Sequence, residues 1–208
     1  MRIKSLVAAM AAVASLAPIA AQAQAQENPW MVRVRAVDLL WNNGQTGIAQ
    51  AANIKAKDQW IPEFDVSYFF TKNIAAELVL TWPQQVNITA NGTDAGKISA
   101  LPPSLLVQYH FTDLGAFKPY VGAGVNYTIF GNRQYFYGPG AGLQVEPSSI
   151  GFVGQIGMDY MLDKNWGLNV DVKYATMATN VQAVAGGANL GKLTLNPWMP
   201  AVGVAYKF

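Results

Sequence analysis

The sequence predicts an all-β protein: an eight-stranded antiparallel up-and-down transmembrane β-barrel with short periplasmic turns and long extracellular loops. Three observations support this prediction. Apolar residues recur at every second position in segments of about ten residues, the length of a strand that crosses a bilayer at a tilt of roughly 45°. The connections between these segments alternate between long and short. Large aromatic residues lie at the ends of the apolar faces, and ionisable residues lie on the opposite faces.

The clearest segment is residues 60–82, where two alternating runs flank the turn Thr71–Asn73. Successive side chains of a strand point to opposite sides, so this pattern predicts a hairpin with one apolar and one polar face. The other segments repeat the pattern, which places strands at about 30–40, 98–111, 118–129, 152–160, 166–174 and 198–208. Short turns are expected at 112–116 and 163–165, and polar or Gly-rich loops at 41–59, 84–96, 131–148 and 177–191.

An even number of strands lets the first strand pair with the last, so no strand edge is left unpaired in lipid. Because short turns all fall at one end of such a barrel, both termini are expected in the periplasm of a Gram-negative bacterium. A soluble lipocalin-like barrel also has eight strands, but it would carry its charges outward. The expected aromatic girdle, at the two membrane interfaces, consists of Trp30, Trp60, Tyr68, Phe70, Trp82, Tyr109, Tyr127, Tyr160, Trp166, Trp198, Tyr206 and Phe208.

The N-terminal segment has the features of a signal peptide. Arg2 and Lys4 precede an apolar run, and small residues offer cleavage after Ala23 or Ala25. We therefore expect a signal peptide at 1–23 and the barrel at 24–208, with a signal anchor as the alternative. Without Arg2 and Lys4, twelve basic residues balance twelve acidic ones, which gives no support to nucleic-acid binding. The absence of cysteine excludes disulfides, thiolate metal sites and cysteine nucleophiles.

The polar faces predict a plug of ionisable side chains in the lower, periplasmic part of the lumen. Buried charges must pair, and eight strands enclose only enough space for side chains, so a packed ion-pair network is favoured over an ion-conducting site. The expected plug residues are Arg33, Arg35, Asp65, Glu77, Gln108, His110, Lys118, Asp159, Asp171 and Lys207.

Higher in the barrel the inward positions become apolar. This change indicates either a vestibule for a hydrophobic ligand or ordinary packing of a solid barrel. The lining would be Val37, Leu39, Ile61, Val79, Leu106, Phe130 and Val153.

Three prolines fall near the junction of the third and fourth predicted strands: Pro83, Pro102 and Pro103. Proline cannot donate to a strand ladder, so the pairing there could be shortened and leave a lateral opening. Alternatively, the prolines simply end the strands at the membrane boundary. His110, the only histidine, lies toward the periplasmic turn and has no clustered partners for a metal site or an outer-leaflet enzyme. No catalytic residue, metal or cofactor is predicted.

Several segments resemble the OmpW family of outer-membrane proteins: 28–36, 62–70, 73–78, 101–103, 108–111, 118–124 and 197–198. The resemblance covers essentially the whole mature chain. It implies an outer-membrane barrel that passes small hydrophobic molecules, as members such as the AlkL-type proteins are thought to do. The alternatives are a closed structural or stress-related barrel like OmpA or OmpX and, less favoured, a lipid A enzyme. The expected partners are outer-membrane lipid and lipopolysaccharide, a small hydrophobic solute, and the outer-membrane assembly machinery, which would read the aromatic C-terminal strand.

Overall fold

The computed structural model describes residues 28–133 and 142–208. The expected signal peptide and its cleavage site, as well as part of the loop expected at 131–148, lie outside these residues. No helix in the described part of the chain is long and apolar enough to cross a membrane.

The described residues form fifteen strands and one helical turn. In chain order these are β1 (Trp30–Leu39), β2 (Gly44–Gly47), α1 (Ile48–Ala51), β3 (Lys55–Ala56), β4 (Gln59–Phe69), β5 (Ile74–Thr81), β6 (Gln84–Ala90), β7 (Thr93–Leu101), β8 (Ser104–His110), β9 (Phe117–Gly131), β10 (Leu143–Val145), β11 (Ser148–Met161), β12 (Trp166–Ala175), β13 (Ala178–Ala183), β14 (Asn189–Thr194) and β15 (Trp198–Lys207).

Eight of these strands close into an antiparallel barrel, which confirms the predicted fold class. Their order around the barrel is β1, β4, β5, β8, β9, β11, β12 and β15, and β15 pairs with β1 to complete the ring. The first and last strands run in register from Met31 opposite Lys207 to Val37 opposite Ala201. Because β1 and β15 pair, neither terminal strand has an unpaired edge facing lipid, and a sheet that spans a membrane needs such closure.

The alternation in the sequence corresponds to inside and outside. Arg35 and Asp171 are buried within the barrel, at 2% and 3% exposure, whereas Val204 is 43% exposed on the outer surface. The aromatic girdle residues are exposed or half-buried on that surface. Many contact one another edge to face at the end with the short turns, such as Trp30 with Tyr68 and Trp166 with Tyr206, each pair 4.9 Å between ring centroids.

The three turns at that end are short, as predicted. The turn between β11 and β12 is closed by Asp163, whose carboxylate accepts hydrogen bonds from the backbone N–H groups of Asn165 and Trp166 at 2.8 and 2.7 Å. These two donors favour the ionised form and lower the pKa of Asp163.

The connections at the other end are long, as predicted, but they are more ordered than the expected loops. They build a structure that we call the cap, formed by β2, α1, β3, β6, β7, β10, β13 and β14. In the cap, β10, β13, β14 and β2 form a separate four-stranded sheet, and β3, β6 and β7 extend the barrel sheet through the upper end of β9. Its apolar core contains Ile54, Val86, Ile88, Val145 and Val181.

The fourth predicted strand, 98–111, is wrong as a single strand. The structure divides it into β7 and β8, with Pro102 and Pro103 between them. β7 pairs with the upper part of β9 and β8 with the lower part, so both strands lie along the same side of β9. The interruption follows from the missing N–H groups of the two prolines.

Candidate functional site: the barrel lumen

The lower lumen is filled by a network of ionised side chains. Arg33, fully buried on β1, donates to Asp159 through Nε at 3.0 Å and Nη2 at 2.7 Å. Its third nitrogen lies 3.1 Å from a carboxylate oxygen of Glu77 and 3.0 Å from the hydroxyl of Ser67. A guanidinium presents donors in a fixed planar fork, so three contacts in different directions hold this side chain across the lumen.

Arg35 joins a second set of carboxylates one layer higher. It forms ion pairs with Glu63 at 3.0 Å, Glu77 at 3.1 Å and Asp171 at 3.2 Å, and it contacts Asp65. Asp65 is directly opposite Arg33 in the β1–β4 register, and Glu63 is directly opposite Arg35. The backbone register of β1 and β4 therefore already places an acidic residue beside each arginine.

Lys173 completes the charged layer from β12. Its ammonium group donates to Glu63 at 2.7 Å and to Asp171 at 2.9 Å, and its side chain is fully surrounded. Three cations thus share the lower lumen with five carboxyl groups: Arg33, Arg35 and Lys173 with Glu63, Asp65, Glu77, Asp159 and Asp171. Such a cluster is tolerated because every charge has an opposite partner.

Neutral side chains complete the network. The hydroxyl of Tyr120 donates to Asp171 at 2.9 Å, and the amide of Asn169 donates to Asp159 at 2.7 Å. Gln155 donates to Glu77 at 3.0 Å and accepts from Gln108, whose other amide atom lies 2.9 Å from the His110 ring. We call this whole assembly, from His110 up to Lys173, the plug.

The structure brings together most of the residues expected in the plug. Lys118 and Lys207 differ, because both are only half-buried and lie beside the short turns. Lys118 donates to the backbone oxygen of Thr112, and the ammonium of Lys207 lies 5.6 Å from the Phe69 ring centroid. The prediction missed the plug roles of Glu63, Lys173, Ser67, Tyr120, Gln155 and Asn169. These positions lie on the polar faces of their strands, and that alternation was the available signal.

Above the plug the interior becomes apolar. Val37, Leu39 and Ile61 pack with Ala201 on one side of the lumen. On the other side Val79, Leu106 and Val153 pack with Ala175, and the side chain of Met199 contacts both groups. Of the seven residues expected to line the lumen, six lie here, and Phe130 lies in the core of the cap instead.

A cavity of about 30 Å³ lies between the plug and the cap. Its walls include Leu39, Ile61 and Val79 from the barrel and Val86 and Ala100 from the cap, and Pro102 and Ser104 also contribute. Glu63 and Lys173 of the plug line it as well. The cavity is therefore an apolar space with charged groups on one side.

The ladder between β5 and β8 is short and ends beside this cavity. It runs over six residue pairs, from Ile74 opposite Tyr109 to Val79 opposite Ser104, and it ends next to Pro103. Beyond Val79, β5 still pairs with β4 as far as Thr81, but neither β6 nor β7 pairs with β5. We call this interrupted junction the seam.

A side chain of β9 stabilises the proline segment at the seam. The amide of Asn126 donates to Ser104 Oγ at 2.9 Å and lies 3.3 and 3.4 Å from the carbonyl oxygens of Pro102 and Pro103. Because backbone groups in a membrane need partners, these contacts explain how the strand break is tolerated.

No group of three or more histidine, cysteine or acidic side chains within residues 28–133 and 142–208 is arranged to hold a metal ion. The acidic side chains of the plug instead contact arginine and lysine side chains.

The comparisons with known proteins agree with this architecture. The sequence profile of the OmpW family matches residues 26–208. The chain belongs to the OmpW family. It is 42% identical over 199 residues to the uncharacterized outer-membrane protein y4mB of Sinorhizobium fredii, covering 93% of this chain and 86% of that protein. It is 32% identical over 212 residues to outer membrane protein W of Vibrio cholerae, covering 96% of each chain.

Outer membrane protein AlkL of Ectopseudomonas oleovorans is 27% identical over 151 residues, which cover 70% of this chain and 64% of AlkL. The crystal structure of OprG from Pseudomonas aeruginosa has the same fold, with a TM-score of 0.72 and 24% identity over 90% of this chain and 99% of OprG. Membership of the OmpW family places the protein in the outer membrane of a Gram-negative bacterium. The relatives from Vibrio cholerae and Ectopseudomonas oleovorans are both outer membrane proteins.

Proposed function

We propose that the protein gives small hydrophobic molecules a passive path from the cell exterior into the outer membrane through its upper lumen and the seam. The single observation that carries the proposal is the position of the cavity. It is bounded below by the plug and bordered on one side by Val79, Pro102 and Ser104, at the point where the β5–β8 ladder ends.

The plug makes a straight path through the barrel unfavourable. Arg33, Arg35 and Lys173 fill the lower lumen in a fixed network, and removing them from their carboxylates would leave uncompensated charge. An apolar molecule would also gain nothing from entering this polar layer. A solute in the upper lumen would therefore leave more favourably through the seam, which faces lipid, than through the plug.

The family resemblance supports the class of solute, because AlkL-type members are thought to pass hydrophobic molecules. Apolar walls match this class, since neither ions nor sugars would find hydrogen-bonding partners on Leu39, Ile61 and Val79. The alternative is a closed barrel resembling OmpA or OmpX, in which the same apolar residues serve only for packing.

The experiment is an uptake assay with n-octane in vesicles that contain the protein. In the double variant Pro102→Val and Pro103→Thr, both N–H groups are restored, so the ladder between β5 and β8 can extend past Val79 and Ser104. Octane uptake should fall toward the level of protein-free vesicles. Pro200→Val, on β15 away from the seam, is the matched control and should keep wild-type uptake.

Unchanged uptake in the folded double variant would contradict the seam as the exit. Wild-type uptake equal to that of protein-free vesicles would instead favour the closed barrel.

We also propose that the outer face of the cap contacts the phosphate groups of lipopolysaccharide. Lys57 donates its backbone N–H to Asn87, which is opposite Lys97, and Lys55 is opposite Thr89 in the same sheet. All three lysine side chains are exposed, and within the described residues none forms an ion pair. Lys57 and Lys97 lie on either side of Asn87, and a lysine near an anionic phosphorylated lipid surface is attracted to it.

A further inference from the structure

The cavity above the plug contains hydrogen-bonding groups that the protein itself does not use. Thr81 lines the cavity, and its hydroxyl is buried without a hydrogen-bond partner in the described part of the chain. A buried polar group of this kind is unusual in a native structure, because it loses its hydrogen bonds to water without replacing them.

Lys173 offers a second unused group. An ammonium carries three donors, and within the described residues two of them are used, by Glu63 and Asp171. The other polar residues of the cavity wall have partners. Asn126 and Ser104 bond to each other at 2.9 Å, Gln84 donates to the backbone oxygen of Trp82, and Glu63 contacts Lys173 and Arg35. The unused donors therefore lie at Thr81 and Lys173.

From these groups we infer that the upper lumen binds the polar end of a neutral, oxygen-containing amphiphile, such as a long-chain alcohol or ketone, through Thr81 and Lys173. The inference rests on the proposed function and specifies its substrate class. The hydrocarbon part of the molecule extends from the cavity toward the seam.

The charges of the plug decide between neutral and ionised head groups. Three cations face five carboxyl groups, so the cluster holds no surplus positive charge that would draw a carboxylate or a phosphate. An ammonium group is also a poor match, because it has no acceptor for the remaining N–H of Lys173. A hydroxyl or carbonyl oxygen accepts that hydrogen without adding charge.

The size of the cavity agrees with a single small head group. About 30 Å³ is enough for one oxygen-bearing group at rest, and the hydrocarbon chain of the same molecule would lie along the seam. Thr81 lies two residues beyond Val79, where the β5–β8 ladder ends, and Pro102 lines the same cavity. A head group held here places its tail beside the lipid-facing break in the barrel wall.

The test compares matched solutes of one chain length: 1-octanol, n-octane and octanoate. Wild-type protein in vesicles should take up octanol in preference to octane after subtraction of uptake by protein-free vesicles. Thr81→Val has the same shape but lacks the hydroxyl, and it should lower the octanol-to-octane ratio about fivefold, the value of one hydrogen bond. Thr81→Ser keeps the hydroxyl and should retain the wild-type ratio.

Two outcomes would overturn the inference: an octanol-to-octane ratio in Thr81→Val equal to that of the wild type, or a wild-type preference for octanoate over octanol. An equal ratio would mean that an ordered water satisfies the Thr81 hydroxyl. These results are distinguishable from failure of the proposed function, in which the wild type would take up no octane above background. Binding can be followed independently of transport, because octanol should shift the methyl NMR signal of Thr81 more than octane does.

Discussion

Within one ring of strands, the lower half of the lumen is lined by charged and polar side chains and the upper half by apolar ones. Below, Arg33 and Arg35 bind carboxylates from four other strands. Above, Val37 and Leu106 lie on the same inner surface and pack with other apolar side chains. The strands run through both halves, and the only interrupted barrel ladder among the described residues is the β5–β8 ladder at the seam. The contrast between a charged and an apolar interior therefore comes from the side chains that point inward.

The largest effect is expected from breaking the plug at its centre. Arg35→Met leaves Glu63, Asp65 and Asp171 without their shared cation, and removing one partner from a buried ion cluster costs about 3–5 kcal/mol. The free energy of unfolding, measured by urea titration in lipid vesicles with tryptophan fluorescence, should fall by that amount. A variant that no longer folds would show no heat-modifiable band on gels and would agree with the prediction.

The matched control is Lys72→Met at a periplasmic turn. Lys72 lies 3.4 Å from Asp113, and the two side chains are 71% and 82% exposed. Surface pairs contribute only about 0–1 kcal/mol. If both variants lost the same small amount of stability, the plug would not be the stabilising network described above.

A smaller effect is expected from crowding the plug without changing its charge. A methyl group at Gly157 would lie 2.3 Å from the ring of Tyr120 and 2.7 Å from a carboxylate oxygen of Asp171. Gly157→Ala should therefore displace Tyr120 and cost about 1–3 kcal/mol in unfolding free energy.

Gly154, three residues earlier on the same strand and exposed on the outer face, provides the control. A methyl group there meets no atom within 4 Å, so Gly154→Ala should leave the unfolding free energy close to that of the wild type. Equal losses in the two variants would indicate a general effect of alanine on β11 rather than contact with the plug.

The smallest effect is expected on lipopolysaccharide binding, from the exposed lysines of the cap, which lie outside the lumen. Lys97→Gln on the cap should weaken binding of lipopolysaccharide about fivefold at low salt, since one lysine near an anionic surface is worth about 1 kcal/mol. Stability should not change, because the side chain is exposed. Lipopolysaccharide binding at several salt concentrations provides the measurement, with Lys164→Gln at the opposite end as control. Identical salt curves for the two variants would exclude the cap as the binding face.

Much of the barrel could be predicted because the alternation of apolar and polar residues is visible within each strand separately. Alternation with period two identifies each barrel strand, and the inward position of Arg35 or Asp171 follows from its neighbours along the same strand. The partners of these residues could not be predicted in the same way. That Lys173 reaches Glu63 depends on register and side-chain length across the lumen, and no single strand contains that information.

The cap was missed although part of its signal was present. Val86, Ile88 and Ala90 alternate immediately before Asn91 and Gly92, whose backbone φ values of 50° and 79° suit a two-residue hairpin turn. The rest of the cap joins strands from three different connections, as in the pairing of β14 with β2, and is stabilised by a shared core. Pieces as short as β2 acquire a definite conformation only when their distant partners are present.

The plug has a consequence for the cell as a whole. We expect a barrel whose lower lumen is filled by paired arginines and carboxylates to conduct no current of salts or metabolites. The bacterium would then carry many copies of this protein without making its outer membrane permeable to polar solutes.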